Sequence, residues 1–393
     1  MPGSELPVLP CPRPDLEKID GAALRTKKSI RGRVILAVIL LYVIWLSWQI
    51  GHFKRYVSAS RGAETASAGP EAFEIKGVYH IHSRFSDGRK TVDRIAAEAA
   101  AEGLDFIILT DHGKPNEASL AAQGRKRGVL VLSGCEISSN RGHLVALGFE
   151  RPEAGRLFSS EAETAAFEVA ALGGFTVIAH PYSKIRWSWG RPAGYAGLEI
   201  IDADTMVRRN ALRALPYLPA LLLRPELTML KIIDPPEQTL RKWDELLRGG
   251  PVLGFFSADA HYLYSAILPL FRLHVMLDQP LAEEFETARR QVFFALKQGR
   301  FFNAVDAAAE ARGFRFRVQG SSLQLVAPFS FAHEVMIIRD GEVIHRTGEN
   351  AVFFPAPGPG VYRAEVYLRV KTPLDPGVPW IVSNPVIYGK EIP

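Results

Sequence analysis

Between residues 77 and 261 the chain keeps returning to one pattern, a short apolar run that ends in histidine or a carboxylate. The first instance is Tyr79-His80-Ile81-His82. A strand alternates faces with period two, so His80 and His82 point the same way. The pattern predicts strands over 77–82, 105–110, 129–134, 143–148, 175–179, 197–201 and 252–257. It predicts helices over 91–102, 116–126, 160–172, 236–248 and 282–298. Such alternation argues for βαβ units and a parallel sheet or barrel. Seven strands suit closure into a β/α barrel, whose strand C-termini converge on one face where sites are built.

Six of the ten histidines share this strand-end address: His80, His82, His112, His143, His180 and His261. Carboxylates are placed likewise. Asp87 sits in the turn Ser86-Asp87-Gly88, Glu136 follows Gly134-Cys135, and Asp259 lies two residues before His261. Asp111 adjoins His112. Mixed nitrogen and oxygen donors suit Zn, Mn or Fe rather than Ca or Mg. At three to four protein ligands per ion, nine such groups serve two or three divalent ions with a carboxylate between them.

His-x-His, Thr-Asp-His, Gly-x-Glu, His-Pro and Asp-x-His occur in the order found in the polymerase-and-histidinol-phosphatase (PHP) superfamily of metal-dependent phosphoesterases, which residues 77–300 resemble. The resemblance implies a distorted seven-stranded β/α barrel. It implies that His80, His82, Glu136 and Asp259 hold one metal, that Glu136 bridges to a second held by His143 and His180, and that Asp87, His112 and His261 hold a third. Pro379-Trp380-Ile381 and Ser383-Asn384-Pro385 resemble the tail of a branch related to carbaryl hydrolase. Gly113 departs from the family, in which Asn commonly follows Thr-Asp-His.

The implied activity is hydrolysis of a small phosphate mono- or diester by a metal-activated hydroxide. A carboxylic or carbamic ester hydrolase on the same metals is one alternative, and an inert membrane-tethered binding or sensor module is another. Asp111 is a candidate to orient a ligand. Arg84, Lys114, Lys184 and Arg186 are candidates to neutralise a phosphate. Trp187 and Trp189 could wall a leaving group or cover the barrel rim.

A second constraint lies upstream. Val34–Ile50 is uncharged and apolar, and Val34–Phe53 reaches the roughly 20 residues that span a bilayer. Arg25, Lys27, Lys28, Arg31 and Arg33 precede it, against Lys54, Arg55 and Arg61 after it. The positive-inside rule then places the N-terminus in the cytoplasm and the catalytic body outside. Cys11 and Cys135, the only cysteines, would lie on opposite sides of the membrane. The net charge of +5 belongs to this leader, because residues 62–393 carry 37 basic against 38 acidic residues. That balance argues against a nucleic-acid partner.

The expected organisation is a basic leader over 1–33, a transmembrane helix over 34–53, a stalk over 54–75, the barrel over 76–310 and a small β-sandwich over 311–393. An apolar insertion at 206–233, broken by Pro216 and Pro219, reads as a helical hairpin packed on the barrel, with a membrane-surface or substrate-cap role as the alternative. In the C-terminal part, strands are expected over 313–318, 322–326, 334–339, 342–346, 361–369 and 378–388. Asp340-Gly341 marks a hairpin there, and His333 and His345 read as surface residues.

Overall fold

The apolar run of the N-terminus lies in one long helix, α1 (Leu16–Arg61). The computed structural model describes residues 16–61, 73–190 and 194–389. The chain divides into two units, Met1–His52 and Phe53–Pro393. Within α1, Ile30–Phe53 is long and apolar enough to cross a membrane, a property it shares with signal sequences. The helix runs on through residues 54–61, which had been read as the start of a stalk. The rest of that expected stalk, apart from residues 73–75, lies outside the described residues.

The second unit is an α/β fold containing a large sheet. In chain order its first half comprises β1 (Phe73–Ile81), α2 (Val92–Ala101), β2 (Phe106–Leu109), α3 (Glu117–Ala121), β3 (Gly124–Lys126), β4 (Val129–Ser133), β5 (Cys135–Ser139), β6 (Gly142–Leu147), α4 (Ala162–Ala171) and β7 (Phe175–Ile178). Then come β8 (Gly197–Asp202), α5 (Ala203–Ala214), a 3-10 helix (Leu215–Leu222), α6 (Pro225–Leu230), α7 (Glu237–Leu247), β9 (Leu253–Ser257), α8 (Tyr264–Ile267), β10 (Phe271–Leu277), α9 (Phe285–Lys297) and β11 (Phe301–Val305).

β1, β2 and β4 pair in parallel. β5 to β9 form a second sheet in chain order. Main-chain bonds link the two sheets at both edges, from Gly134 N–H to Leu109 O at one and from Ala258 N–H to Tyr79 O at the other. β2, β4 and β7 are buried along their whole length, as expected of strands covered on both faces. Tyr79, Ile108, Leu132, Val145, Val177 and Phe255 come from six different strands and meet in one apolar core with Val292 and Leu296 of α9.

Three features depart from the sequence expectation. Helix 116–126 stops at Ala121, and Gly124–Lys126 instead pairs antiparallel with β4. β5, β10 and β11 appear where no strand was expected. β6 runs antiparallel to both neighbours, so this part of the sheet is not parallel.

The C-terminal region adds β12 (Arg315–Gln319), β13 (Ser322–Val326), β14 (His333–Arg339), β15 (Glu342–Thr347), β16 (Ala351–Pro355), β17 (Gly360–Leu368), β18 (Ile381–Ser383) and β19 (Val386–Tyr388). Asp340 and Gly341 form the expected two-residue turn, with φ of 50° and 88°. β18 sits between β11 and β17, so one eleven-stranded sheet runs from this region into the body. Trp380 is fully buried and its Nε1–H donates to Ala309 O at 2.8 Å. Asn384 Oδ1 accepts from Gly254 N–H of β9 at 2.9 Å. The tail motif that suggested a branch of the family is thus joined to the body through β9 and Ala309. His333 is buried, contrary to expectation. Its Nδ1–H donates to Phe331 O at 2.9 Å, and Phe329 meets its ring edge-on.

A buried charged cluster ties β1, β10 and the segment after β11 together. His274 lies 2.7 Å from Glu74 and 3.0 Å from Asp306, with Arg315 on Glu74 and Arg272 on Asp306. Burial opposes the His274 charge, but Asp306 and Glu74 outweigh it and raise its pKa to about 9. Burial likewise opposes charge on Glu74 and Asp306, and His274 outweighs it to hold both at about 2. Stability from the histidine is complete below its unfolded value near 6.5 and is lost as pH rises through 9. Stability from the carboxylates is present above about 4.5 and lost as pH falls toward 2. The cluster, counted once, should contribute about 3 kcal/mol between pH 5 and 6.5. Chemical unfolding at pH 6 and pH 9 checks this. His274→Asn should abolish the part of the pH 6-to-9 difference that belongs to the cluster. A wild-type difference unchanged by the substitution contradicts the assignment.

Candidate metal centre

β1 delivers the first two ligands, but not as a regular strand. His80 has a φ of 66° and the pairing with β2 shifts register between Val78 and Ile81. A bulge of this kind bends a strand and re-aims its side chains. The result still brings the pair together, with His80 Nε2 3.1 Å from His82 Nε2. His180 and Asp259, each just beyond a strand end, also have positive φ, at 26° and 40°. Left-handed backbone at non-glycine residues costs about 1–3 kcal/mol each and persists where the surroundings enforce it. Three such residues in one cluster mark the site as strained.

The remaining ligands arrive from separate elements. The loop after β1 folds back because Gly88 packs on the His82 carbonyl, where any Cβ would meet that oxygen at 2.2 Å. Asp87 is thereby carried to within 3.2 Å of His82 and 3.2 Å of His261. His112 follows β2 and pairs with Glu136 through an isolated main-chain bridge. Glu136 lies within β5 rather than after a strand. His143 lies near the start of β6, contrary to the strand-end pattern, and the antiparallel run of β6 is what brings it to the same end.

All nine predicted ligands converge. Two sets have donor atoms mutually within 4.8 Å: His80, Glu136, His180 and Asp259, all buried, and His82, Asp87, His112 and His261, less buried. The division differs from the one implied by resemblance in that His82 joins the second set and His180 the first. Glu136 stands between further groups. Its Oε1 is 2.7 Å from His143 Nδ1 and 2.9 Å from His180 Nε2, and its Oε2 is 3.1 Å from His82 and 3.3 Å from His80.

The donor chemistry fits cations. Four histidines have Nδ1 engaged elsewhere: His80 by Glu199, His82 by Ser86 Oγ, His180 by Ser183 Oγ and His261 by the Asp259 carbonyl. Fixing Nδ1 as donor leaves Nε2 as the lone-pair nitrogen for a metal. His112 Nδ1, His143 Nδ1 and Asp259 Oδ1 are buried without a hydrogen-bond partner, although each lies within 3.5 Å of a carboxylate or imidazole of the same cluster. Orphaned buried polar atoms are rare and call for an occupant. The field points the same way. Burial opposes charge on Glu136, but His80, His143 and His180 hold its carboxyl well below the ordinary range. Burial opposes the His180 proton, yet Glu136 and Asp259 raise that pKa to about 10. Buried carboxylates that demand this much positive charge suit a multivalent cation.

The other predicted site residues divide. The buried Asp111 carboxylate does not touch a ligand. It accepts from Ser83 N–H, Ser83 Oγ and Ser86 Oγ at 2.7, 2.8 and 2.7 Å. Ser86 Oγ in turn lies 3.3 Å from His82 Nδ1, so Asp111 positions His82 through Ser86. Arg84 is exposed, with its Nε–H on the Arg89 carbonyl, and lines a surface hollow with Arg89, Lys90 and Arg94. Lys114 donates to Ser160 Oγ. Lys184 and Arg186 are exposed on the loop after His180. None of these cations contacts the ligand set. Trp187 is buried against Gly142, where an added Cβ would meet its ring at 3.2 Å, which favours the rim-covering role.

Two carboxylates were missed. Glu199 of β8 is buried and accepts from His80 Nδ1–H at 2.6 Å and from His180 N–H at 2.7 Å. Asp202 caps α5 by accepting from Thr205 N–H at 2.6 Å, and burial together with Asp259 raises its pKa to about 7. Both line a cleft of about 60 Å³ beside His180, with Tyr182, Met206 and Arg209 also on its walls. The signal for Glu199 was present in Gly197-Leu-Glu-Ile-Ile-Asp202, a carboxylate in mid-strand that burial makes costly unless it is paired.

The converging histidines and carboxylates make this a candidate metal centre. Residues 79–175 match the model of the PHP domain. The matched stretch holds six of the nine candidate ligands, and His180, Asp259 and His261 join them in space from beyond it. The chain is 29% identical over 143 residues to the phosphoribosyl 1,2-cyclic phosphate 1,2-diphosphodiesterase of Eggerthella lenta, covering 34% of this chain and 52% of that protein. It is 33% identical over 111 residues to the 3′,5′-nucleoside bisphosphate phosphatase of Chromobacterium violaceum, covering 24% and 39% respectively. The chain thus spans about half or less of the length of these relatives. A two-domain protein from Bacteroides vulgatus, described as containing a predicted PHP-like metal-dependent phosphoesterase, overlaps 81% of this chain and 96% of its own, at 13% identity and a TM-score of 0.41.

Proposed function

We propose that this chain is a membrane-anchored phosphoesterase that uses two to three divalent ions (Mn, Zn or Fe) to hydrolyse a small phosphate mono- or diester. The observation that carries the reading is Glu136, whose two oxygens face different histidines inside a nine-ligand convergence. The names of the two relatives, one a diphosphodiesterase and the other a bisphosphate phosphatase, support a phosphoester substrate. Ions held by these ligands would acidify water and neutralise charge building on the phosphoryl oxygens. His80, Glu136, His180 and Asp259 would hold the buried position, with His143 on the Glu136 oxygen that also faces His180. His82, Asp87, His112 and His261 would hold the more open one. Glu199 and Asp111 keep His80 and His82 oriented. Arg84, Lys114 and Arg186 remain candidates to meet an incoming phosphate by side-chain movement.

In this reading the seven strands or strand pairs around the ligands form the distorted barrel, bounded near 76 and 310. Residues 311–393 form a small β-sandwich whose sheets meet over Leu323, Ile337 and Tyr362. Ile30–Phe53 is a retained anchor, residues 1–33 are cytoplasmic and the body lies outside the cytoplasm, because positive residues are denser before the span.

The test uses the full chain in detergent, reconstituted with each metal in turn. Elemental analysis should return two to three ions per chain, and aryl phosphate mono- or diesters should be cleaved in preference to aryl acetates and carbamates. Less than one ion per chain after reconstitution, or turnover confined to carboxylic or carbamic esters, overturns the proposal.

A further inference from the structure

The insertion between β8 and α7 has two unlike sides. Met206, Asn210, Ala220, Leu227 and Leu230 are buried. Leu212, Leu215, Leu218, Leu222 and Leu223 are exposed, at 80%, 55%, 47%, 90% and 71%. Single exposed apolar side chains are ordinary on a soluble surface, whereas a cluster marks an interaction site. Among the described residues of the body, no other stretch of comparable length concentrates exposed large apolar groups in this way. The same segment carries Arg208, Arg209, Arg213, Arg224 and Lys231 against Asp204, Glu226 and Asp234, with Arg208 paired to Asp204 and Arg213 to Asp234, a net positive balance. Leucines interleaved with arginines on a short helical element are the composition of interfacial segments, which bury their apolar side in the headgroup region and place cations on lipid phosphates.

We propose that the leucine-rich side of this insertion docks on an anionic lipid bilayer. The inference rests on the bilayer attachment proposed above. A chain whose own helix enters a bilayer holds its other surfaces at high effective concentration over that bilayer, so even weak insertion is populated. A second copy of the chain is the less suitable occupant. A two-fold interface sets the same patch against itself, which would bring its net positive charge face to face with its own copy. The site-lining residues Thr205, Met206 and Arg209 belong to the same insertion. Docking would therefore present the cleft beside His180 to the headgroup layer, where a phosphoester carried on a lipid could reach it.

The test places one polarity-sensitive fluorophore at Leu222→Cys, and separately at Leu218→Cys, in the Cys11→Ser full chain. Cys135 is fully buried and should not label. Phe353→Cys, exposed on β16, is the reference. In nanodiscs containing phosphatidylglycerol, the labels at 222 and 218 should shift to the blue and be quenched by nitroxide lipids at least twofold more than the label at 353. Water-like emission without quenching at both positions overturns the proposal. So does a label shielded equally in detergent, without lipid quenching, in a particle of dimeric mass, since that identifies a second copy. Equal quenching in pure phosphatidylcholine discs overturns the anionic requirement. Alkaline carbonate extraction reports on the anchor separately. If it releases the chain, the same labelled protein is titrated with phosphatidylglycerol vesicles and read by the same criteria.

Discussion

Glu136→Ala should reduce hydrolysis of an aryl phosphate by at least about 10³-fold, and added metal should not restore it. The magnitude follows from what the residue touches. Glu136 alone reaches His80, His82, His143 and His180 with its two oxygens. Without it Asp259 is left to face histidines of both candidate positions, and His143 loses its carboxylate. Metal-assisted stabilisation of a phosphoryl transition state is worth several kcal/mol, and about 4 kcal/mol corresponds to a thousandfold in rate. Glu136→Gln should lose nearly as much, since an amide keeps the volume but not the charge. Elemental analysis beside the rate assay separates lost metal from lost chemistry, and an unchanged circular dichroism spectrum confirms the fold. Activity within tenfold of wild type in either variant would remove Glu136 from the centre of the site.

The convergence of the candidate ligands was legible because its signal is local. An apolar run followed by histidine places a polar group at a strand end whatever the rest of the chain does, so the strand containing His80 and the strands before His112, His180 and Asp259 lie within a few residues of expectation. His143 was legible for the wrong reason. It opens an antiparallel strand, and sequence periodicity carries no information on strand direction. Non-local pairing explains the other misses. Gly124–Lys126 continued a helical pattern, but its pairing with β4 overrides that propensity. β10 reads Phe271-Arg-Leu-His-Val-Met-Leu277, and its Arg272 and His274 would be out of place in a buried strand were they not paired with Asp306 and Glu74 from elsewhere in the chain. The role of Asp111 could not be read either, because its partners Ser83 and Ser86 become neighbours only when the loop after β1 folds over the strand end.

Glu199→Gln should weaken metal binding by about 10–100-fold while leaving maximal activity largely recoverable at excess metal. The carboxylate serves two donors at once, His80 Nδ1–H through one oxygen and His180 N–H through the other, and it is buried. A glutamine has one acceptor oxygen and one NH₂ group. Whichever way it turns, one of the two donors meets another donor, and an unsatisfied buried group costs about 1–3 kcal/mol. If the oxygen stays on His80, the histidine keeps its orientation but loses the adjacent charge that makes Nε2 a stronger ligand. If it turns to His180 N–H, the His80 ring is released, and with it the strained backbone at φ 66° loses part of what holds it. Either outcome raises the metal concentration needed for half-maximal activity, whereas loss of Glu136 lowers the ceiling itself. Activity titrated against Mn²⁺ or Zn²⁺ in metal-buffered solution reads the two apart. A Glu199→Gln curve superimposable on wild type would show that β8 contributes a buried acid to packing alone.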